Sequence, residues 1–277
     1  MKPPAVSVLL PVHDGERFLA EALDSVLGQT LAELDVVVVN DGSTDGTAAA
    51  LARYDDSRVR VVHRPHGGLV AALEWALREA GAPLLARMDA DDVSLPERLE
   101  RQVGVLQANP DVGLVACGVE VIDERGAVER TITLPSADED LRRRLLLRNP
   151  FAHGSVVLRR EALEKAGGYR PDYGANEDYD LWRRIARAWK LAAVPEILYR
   201  YREHGGSVTA ADTERLGRRE ALRDELWGEP ALLRAVWGER DPVEARALAR
   251  EAIRRGRPLI AARVGAGYLA RRVSTSS

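Results

Sequence analysis

The sequence Leu-Leu-Ala-Arg-Met-Asp-Ala-Asp-Asp occupies residues 84–92 and joins a short apolar run to three carboxylates. The apolar part predicts a buried strand, and residues two apart on an extended chain point to the same side. Asp89 and Asp91 would therefore leave the strand end facing one cleft. Because like charges are costly unless a cation lies between them, and a few carboxylate oxygens suit Mg²⁺ or Mn²⁺, the stretch predicts a site for a metal-bound diphosphate.

Two other interpretations of these carboxylates were weighed. The first is a solvated acidic turn, which is common and stays open. The second is a calcium loop, since acidic residues recur from Asp89 at loop positions 1, 3, 9 and 12. Val93 and Ser94 then occupy places that need a ligand and a glycine, and Pro96 lies inside the loop, so a calcium loop is excluded.

Three strand-helix units of the same kind precede this stretch. Buried strands are predicted at 6–10, 36–39 and 59–62, and each is followed by apolar residues at helical spacing. With residues 84–88 and the helix after Pro96, four such units predict a parallel sheet covered on both faces. Ligands bind such sheets outside the carboxyl ends of the strands, and a polar cluster follows each strand here.

After residue 112 the pattern changes. Shorter strands are predicted at 112–117, 119–122, 131–134, 156–158 and 197–201, with a helix over about 177–188. Beyond about residue 209 the sequence reads as helical and is rich in arginine and glutamate. We therefore expect a catalytic domain over 1–210 and a helical extension over 211–277.

Composition limits the function classes. A net charge of −3 gives no general electrostatic case for nucleic acid as a partner. Cys117 is the only cysteine, which excludes an intrachain disulfide and favours a reducing compartment. The first residues lack a signal-peptide pattern and no stretch reaches membrane-spanning length, so a cytoplasmic location is expected.

With these features in place, the chain resembles the family 2 glycosyltransferases of the GT-A fold. The matching segments follow the family order over roughly residues 5–209 and are Val8–Gly15, Val38–Thr47, Asp89–Pro96, Asn149–His153, Gly167–Tyr169, Glu177–Trp182 and Tyr201–Ser207. The resemblance implies an α/β fold of GT-A type, with a Rossmann-like, mostly parallel sheet flanked by helices.

The resemblance also implies a nucleotide-sugar donor, with UDP as the expected nucleotide, held by the loops after the first four strands. Asp41 would contact the base or ribose, His13 would stack on the base, and Asp89 would hold ribose or phosphate. Asp91 would hold the bridging metal. His204 would reach the metal or the diphosphate, although a histidine that only packs its loop fits equally well. The donor-binding residues are then Pro11, His13, Asp14, Asp41, Gly68, Asp89 and Asp91.

Asp178 is the predicted catalytic base. Asn176 is expected to cap the following helix, which places Glu177 and Asp178 at the positive end of its dipole and favours their ionised forms. An ionised carboxylate can accept the proton of an attacking hydroxyl group. Glu177 and His153 are placed on the acceptor side. An acidic helix start and a structural histidine are the alternative readings of these residues.

The function predicted from the sequence is metal-dependent, inverting transfer of a sugar to a hydroxyl of a glycan or lipid-linked acceptor in cell-surface polysaccharide synthesis, with Mn²⁺ or Mg²⁺ as cofactor. One alternative is a nucleotidyltransferase, which gives Glu177 and Asp178 no task and for which no glycine-rich phosphate loop follows Leu10. The other is a catalytically silent protein that binds carbohydrate or nucleotide on the same fold.

The C-terminal tail carries an apolar stripe. Ile260, Val264 and Tyr268 recur every four residues and are flanked by arginines. A helix with this pattern can lie on an anionic membrane interface, here the inner face of the cell membrane, or can pack on the catalytic domain. Both interpretations stay open.

Overall fold

A computed structural model describes residues 3–205, apart from the side chains of residues 146, 147 and 175. The predicted helical extension over 211–277, with its apolar stripe, lies outside the described residues and stays a prediction. Within the described part, no helix is both long enough and apolar enough to cross a membrane.

The described residues form one sheet of nine strands with seven α-helices around it. The strands are β1 Val6–Val12, β2 Leu34–Asp41, β3 Val59–Arg64, β4 Leu84–Arg87, β5 Val93–Ser94, β6 Val112–Ile122, β7 Val128–Ile132, β8 Val157–Arg159 and β9 Lys190–Arg202. The helices are α1 Leu19–Leu27, α2 Thr47–Leu51, α3 Leu69–Glu79, α4 Arg98–Ala108, α5 Asp138–Leu147, α6 Arg160–Lys165 and α7 Glu177–Ile185. Short 3-10 helices lie at His153–Ser155 and Pro171–Asn176.

The strand order is β3-β2-β1-β4-β8-β6-β9-β5, and β7 pairs with β6. The first four strands are mutually parallel, as the four strand-helix units predicted. β8 runs antiparallel between β4 and β6, whereas β6 and β9 are parallel. The α/β fold is therefore confirmed, with a mixed rather than uniformly parallel second half.

Alternation along the central strands explains why helices cover both faces. Val8 and Leu10 of β1 pack in one apolar cluster with α1, whereas Leu9 between them packs in a second cluster with α3. Successive side chains of a strand point to opposite faces, so a strand that is apolar at every position needs a cover on each side. Burying one such side chain contributes about 1.5–3 kcal/mol to the free energy of folding. This burial stabilises the sheet that carries the polar loops.

The second half differs from the predicted boundaries. Residues 112–117 and 119–122 form the single strand β6, whose pairing with β9 shifts register at Gly118. A Cβ on Gly118 would lie 2.8 Å from the carbonyl oxygen of Glu196, so the strands approach too closely there for a larger residue. The strand predicted over 197–201 is the end of the longer β9, and α7 ends at Ile185 rather than near residue 188.

Candidate active site

The loops after β1, β2 and β3 meet at Asp41, the last residue of β2. Its buried carboxylate accepts hydrogen bonds from the backbone N–H groups of Gly67 and Gly68, each at 2.8 Å. Its carbonyl oxygen lies 2.8 Å from Nδ1 of His13 and 3.1 Å from Nδ1 of His66. The structure thus brings together the predicted donor-binding residues His13, Asp41 and Gly68. The structure adds His66, for which no role was predicted.

Asp14 ties the first two loops together. Its φ of 48° lies in the left-handed region, which Asp tolerates better than most residues. Its Oδ1 accepts a hydrogen bond from the Thr44 N–H at 2.7 Å, and its own N–H donates to Ser43 Oγ at 3.0 Å. Pro11, also predicted to bind the donor, is buried within β1 opposite Val39.

The acidic loop follows β4, and its first two carboxylates have different partners. Asp89 forms an ion pair with the buried guanidinium of Arg87, two residues earlier. Oδ2 of Asp91 lies 2.9 Å from Nε2 of His204, which is 113 residues away in the sequence. Both carboxylates remain partly exposed, at 26% for Asp89 and 33% for Asp91. Asp91 and His204, the two predicted metal ligands, therefore lie together.

Asp92 is buried and anchors this loop. Its Oδ2 accepts a hydrogen bond from the Tyr199 hydroxyl at 2.7 Å, and its Oδ1 accepts one from the Arg202 N–H at 2.7 Å. Burial, together with the charges of Asp89 and Asp91, raises the pKa of Asp92 well above its ordinary value. Arg202 also donates from Nε to the Asp91 carbonyl at 2.8 Å. The end of β9 thus fixes the position of the acidic loop.

Gly154 brings a second loop, residues 149–155, directly against the acidic loop. A Cβ on Gly154 would lie 2.7 Å from Oδ2 of Asp89 and would overlap the Tyr199 hydroxyl. The same hydroxyl accepts a hydrogen bond from the Asp89 N–H at 3.3 Å. Only a residue without a side chain fits between these groups, so the two loops pack as one unit.

Asp178 lies in the first turn of α7 and is buried. Its Oδ2 accepts a hydrogen bond from Asn149 Nδ2 at 2.7 Å, and its Oδ1 accepts one from the Tyr179 N–H at 2.6 Å. Burial, followed by the charge of Glu177, raises the pKa of Asp178, and these two hydrogen bonds only partly oppose the rise. The helix dipole was expected to favour the ionised form of Asp178, but in the structure desolvation has the larger effect on its pKa.

The expected capping by Asn176 is also wrong in its detail. Asn176 is the residue before α7, as predicted, but its side chain makes no capping hydrogen bond to the helix. The preceding 3-10 helix, Pro171–Asn176, leads directly into α7. The backbone, rather than a side-chain cap, therefore sets where Asp178 enters the helix.

His153 lies beside Glu177, the other residue predicted on the acceptor side. Its Nδ1 is 3.4 Å from Oε1 of Glu177, and its Nε2 is 3.0 Å from the Tyr169 hydroxyl. Burial and the nearby Arg87 charge lower the pKa of His153 to about 4. The imidazole is therefore neutral near pH 7, so its contact with Glu177 is not an ion pair at that pH.

Asp91 and His204 suit a cation that keeps an open coordination sphere. They offer a carboxylate oxygen and a ring nitrogen 2.9 Å apart. Mg²⁺ and Mn²⁺ commonly take one or two protein ligands and fill the other positions with water and phosphate oxygens. Asp89 adds negative charge nearby through a carboxylate that is paired with Arg87. The donor set therefore fits a metal shared with a diphosphate.

Four side chains that build this site were missed at the sequence level. Arg87, Asp92, Tyr199 and Arg202 are all buried and hold the acidic loop. For Arg87, a charged residue at the end of an otherwise apolar strand was the available signal. Tyr199 and Arg202 lie 107–111 residues from the side chain and backbone groups that they bond in the acidic loop, and spacing along the chain does not reveal these contacts.

Comparisons with known proteins identify the family of the chain. The family profile described as Glycosyl transferase family 2 matches residues 7–167. The O-antigen biosynthesis glycosyltransferase WbnJ of Escherichia coli is 32% identical over 209 residues, which are 73% of this chain and 81% of WbnJ. The amylovoran biosynthesis glycosyltransferase AmsE of Erwinia amylovora is 34% identical over 202 residues, which are 71% of this chain and 75% of AmsE.

Solved structures share the fold at lower identity. The S. aureus TarS 1-349 structure in complex with UDP-GlcNAc has a TM-score of 0.64 at 16% identity, covering 95% of this chain and 89% of that one. The Pyrobaculum calidifontis mannosyltransferase PcManGT in complex with GDP-Man and Mn²⁺ has a TM-score of 0.59 at 23% identity, covering 97% and 87%. At these identities the likeness concerns the fold alone.

Proposed function

Since the chain belongs to glycosyl transferase family 2, we propose that it transfers a sugar from a nucleoside diphosphate donor, with UDP as the expected nucleotide, to a hydroxyl of a glycan or lipid-linked acceptor. The proposed setting is cell-surface polysaccharide synthesis, which the names of WbnJ and AmsE support. The TarS complex contains UDP-GlcNAc and the PcManGT complex contains GDP-Man, so the nucleotide has to be measured for this chain.

The donor would lie across the carboxyl ends of β1 to β4. His13 and Asp41 would contact the base and ribose, and Asp14 and Gly68 shape the loops around them. Because Asp89 and Asp91 would repel a bare diphosphate, we propose that Asp91 and His204 hold Mn²⁺ or Mg²⁺. When bound, the ion would neutralise part of the charge that grows on the departing diphosphate.

Asp178 would act as the general base. The acceptor hydroxyl oxygen forms a bond to the anomeric carbon as the bond from that carbon to the diphosphate oxygen breaks. The hydroxyl proton passes to the Asp178 carboxylate. One displacement of this kind inverts the anomeric centre. A raised pKa makes Asp178 a stronger base when it is ionised, and the N–H of Asn149 orients its carboxylate.

The observation that best supports this proposal is the contact at Gly154. It places the loop that carries Asn149 and His153 against Asp89, so the proposed base and the proposed diphosphate site belong to one packed unit. A single displacement requires the base and the leaving-group site to be held in a fixed geometry on opposite sides of the anomeric carbon, and one packed unit can hold both. A nucleotidyltransferase would give the buried Asp178 no task, and the family match favours glycosyl transfer.

Ligand-induced stabilisation and donor turnover test the proposal. Thermal unfolding is measured with UDP, GDP, dTDP and CDP, each with Mn²⁺, because a ligand that binds only the native state raises the melting temperature. We expect the largest shift with UDP. Hydrolysis of the matching nucleotide-sugar, measured with and without metal, then separates an enzyme from a silent binding protein. A nucleotide shift without metal-dependent turnover would favour the silent protein.

A lipid-linked acceptor would bring the site to a membrane surface, and we propose the arginine-flanked stripe at Ile260–Tyr268 as the contact. Co-sedimentation with anionic vesicles at low salt tests this contact. We expect the full chain to sediment and a chain that ends near Asp241 to stay in solution. Equal behaviour of the two chains would favour a tail that packs on protein.

A further inference from the structure

His13, Asp41 and His66 form a cluster of potential metal ligands at the end of the sheet where β1, β2 and β3 finish. One ring nitrogen from each imidazole and one carboxylate oxygen of Asp41 lie within 4.8 Å of one another. In the described part of the chain, residues 3–205, these three side chains are the ones found to bring three potential metal-ligand atoms this close together. We propose that it is a second cation site, separate from Asp91 and His204, that takes Zn²⁺ or a similar transition-metal ion.

The distance between the His66 and Asp41 ligand atoms suits a small tetrahedral ion. Nδ1 of His66 lies 3.0 Å from Oδ2 of Asp41. Two ligand atoms on one zinc ion, each bonded at ~2.0–2.1 Å, are ~3.3 Å apart in a tetrahedral arrangement. The rings of His13 and His66 are already adjacent, with centroids 4.1 Å apart. Both side chains are partly exposed, at 41% and 58%, so each can turn slightly toward a shared ion.

The groups around these ligands resemble the support that metal sites need. Metal-bound carboxylates and imidazoles are held by further hydrogen bonds that fix their orientation. Here the Asp41 carboxylate is held by the N–H groups of Gly67 and Gly68, each at 2.8 Å. When Nδ1–H of His13 donates to the Asp41 carbonyl, 2.8 Å away, its Nε2 is left with a free lone pair. The site is thus partly organised before any ion binds.

Ligand chemistry separates this site from the one at Asp91. Two imidazole nitrogens and one carboxylate favour zinc, nickel or copper, whereas Mg²⁺ prefers oxygen ligands. An excess of Mg²⁺ should therefore leave the cluster free. If the nucleobase binds over His13 and Asp41, a point that rests on the proposed function, Zn²⁺ and the nucleotide would compete for the same loops.

Calorimetric titration of the chelator-treated full chain with Zn²⁺, in an excess of Mg²⁺, tests the site. The wild type should bind one zinc ion. Loss of an outer-shell partner alone weakens metal binding ~10–100-fold, so His13→Gln and His66→Gln should each lose at least that much affinity. The matched control is His63→Gln, because His63 is exposed, lies three residues from His66 and pairs with Asn40 instead. Asp91→Asn should also retain zinc binding.

Co²⁺ provides a second measurement on the unaltered protein. A tetrahedral nitrogen-oxygen site gives strong visible absorption with Co²⁺, and Zn²⁺ should remove it, so the proposal does not depend on the folding of any variant. Absence of zinc binding by the wild type, or equal affinity in His66→Gln and His63→Gln, would overturn the site. If UDP with Mg²⁺ does not displace the zinc although both histidine variants lose it, the zinc site is supported and the proposed nucleobase position is wrong.

Discussion

The site has a donor side, formed by the loops after β1 to β4 and by His204, and an acceptor side, formed by residues 149–178. The two sides differ in their exposure to solvent. On the donor side Asp89, Asp91 and His13 stay partly open to solvent. On the acceptor side Asp178 and His153 are enclosed, and burial shifts the pKa of both. An open acidic loop suits the capture of a charged, metal-bound ligand. A desolvated carboxyl suits proton transfer.

The most severe test of this contrast is Asp178→Asn. The change keeps the shape of the side chain but removes the proton acceptor, so transfer should fall by ~10²–10⁴-fold. A raised carboxyl pKa means that ionisation of Asp178 costs folding free energy above the unfolded pKa, and the change removes that cost. The Asn amide nitrogen cannot accept one of the two N–H hydrogen bonds that the carboxylate accepts, so the melting temperature at pH 7 should change little. Steady-state kinetics and thermal unfolding measure the two effects.

The matched control is Asp111→Asn, an exposed carboxyl paired with Lys190 at the start of β9. It should leave transfer unchanged, and UDP–Mn²⁺ should bind both variants like the wild type. Near-normal turnover of Asp178→Asn would show that another residue acts as the base, and Glu177 would be tested first.

The donor side is tested by Asp91→Ala and by metal removal. Both leave the diphosphate facing Asp89 without a bridging cation, so UDP affinity should fall by at least ~10-fold, or ~1.4 kcal/mol. Calorimetry with Mn²⁺ and with EDTA measures the change. Equal UDP affinity under the two conditions would show that the acidic loop does not hold a metal-bound diphosphate.

The junction of the two sides is tested by Gly154→Ala. The added Cβ would meet Oδ2 of Asp89 and the Tyr199 hydroxyl, and overpacking of this kind costs about 1–3 kcal/mol. Both the melting temperature and UDP binding should decrease. Because Tyr199→Phe removes the hydroxyl, Gly154→Ala should cost less UDP binding when added to Tyr199→Phe than when added to the wild type. If Gly154→Ala behaves like the wild type, the loops are not packed as one unit.

The smallest expected effect concerns pH. Because the pKa of folded Asp178 is raised, kcat/KM should fall as the pH drops through that value, above the range for an ordinary aspartate. Asn149→Leu removes an N–H that stabilises the ionised carboxylate, so this acidic limb should move to higher pH. Asn109→Leu, on the exposed end of α4, should leave the limb in place. A pH profile unchanged by Asn149→Leu would separate Asn149 from the base.

The sequence predicted the donor side better than the acceptor side for a physical reason. Each donor loop directly follows an apolar strand, so the position of a polar residue along the chain gives its position at the sheet edge. Asp41 and Asp91 lie at that edge, and the family resemblance is confirmed by the match over residues 7–167. Local sequence was sufficient where local sequence sets the geometry.

Where the geometry depends on distant segments, prediction from the sequence failed. Burial around Asp178 comes from several elements, and it outweighs the helix dipole that local reasoning favoured. The antiparallel insertion of β8 between β4 and β6 could not be read from an apolar run of three residues. Tyr199 and Arg202 act on the acidic loop from 107–111 residues away, because register shifts at Gly118 set which residues of β9 arrive there.

Those long separations have a consequence for the order in which the molecule is made. Ends of the chain that are far apart lose more entropy when they join, so contacts between distant segments tend to form late. During synthesis, β1 to β4 can pair once about the first 100 residues have been made. The contacts of Asp92 with Tyr199 and of Asp91 with His204 can form only after those later residues have been made. We expect a nascent chain to gain a folded sheet early and to close its acidic loop only after β9 has left the ribosome.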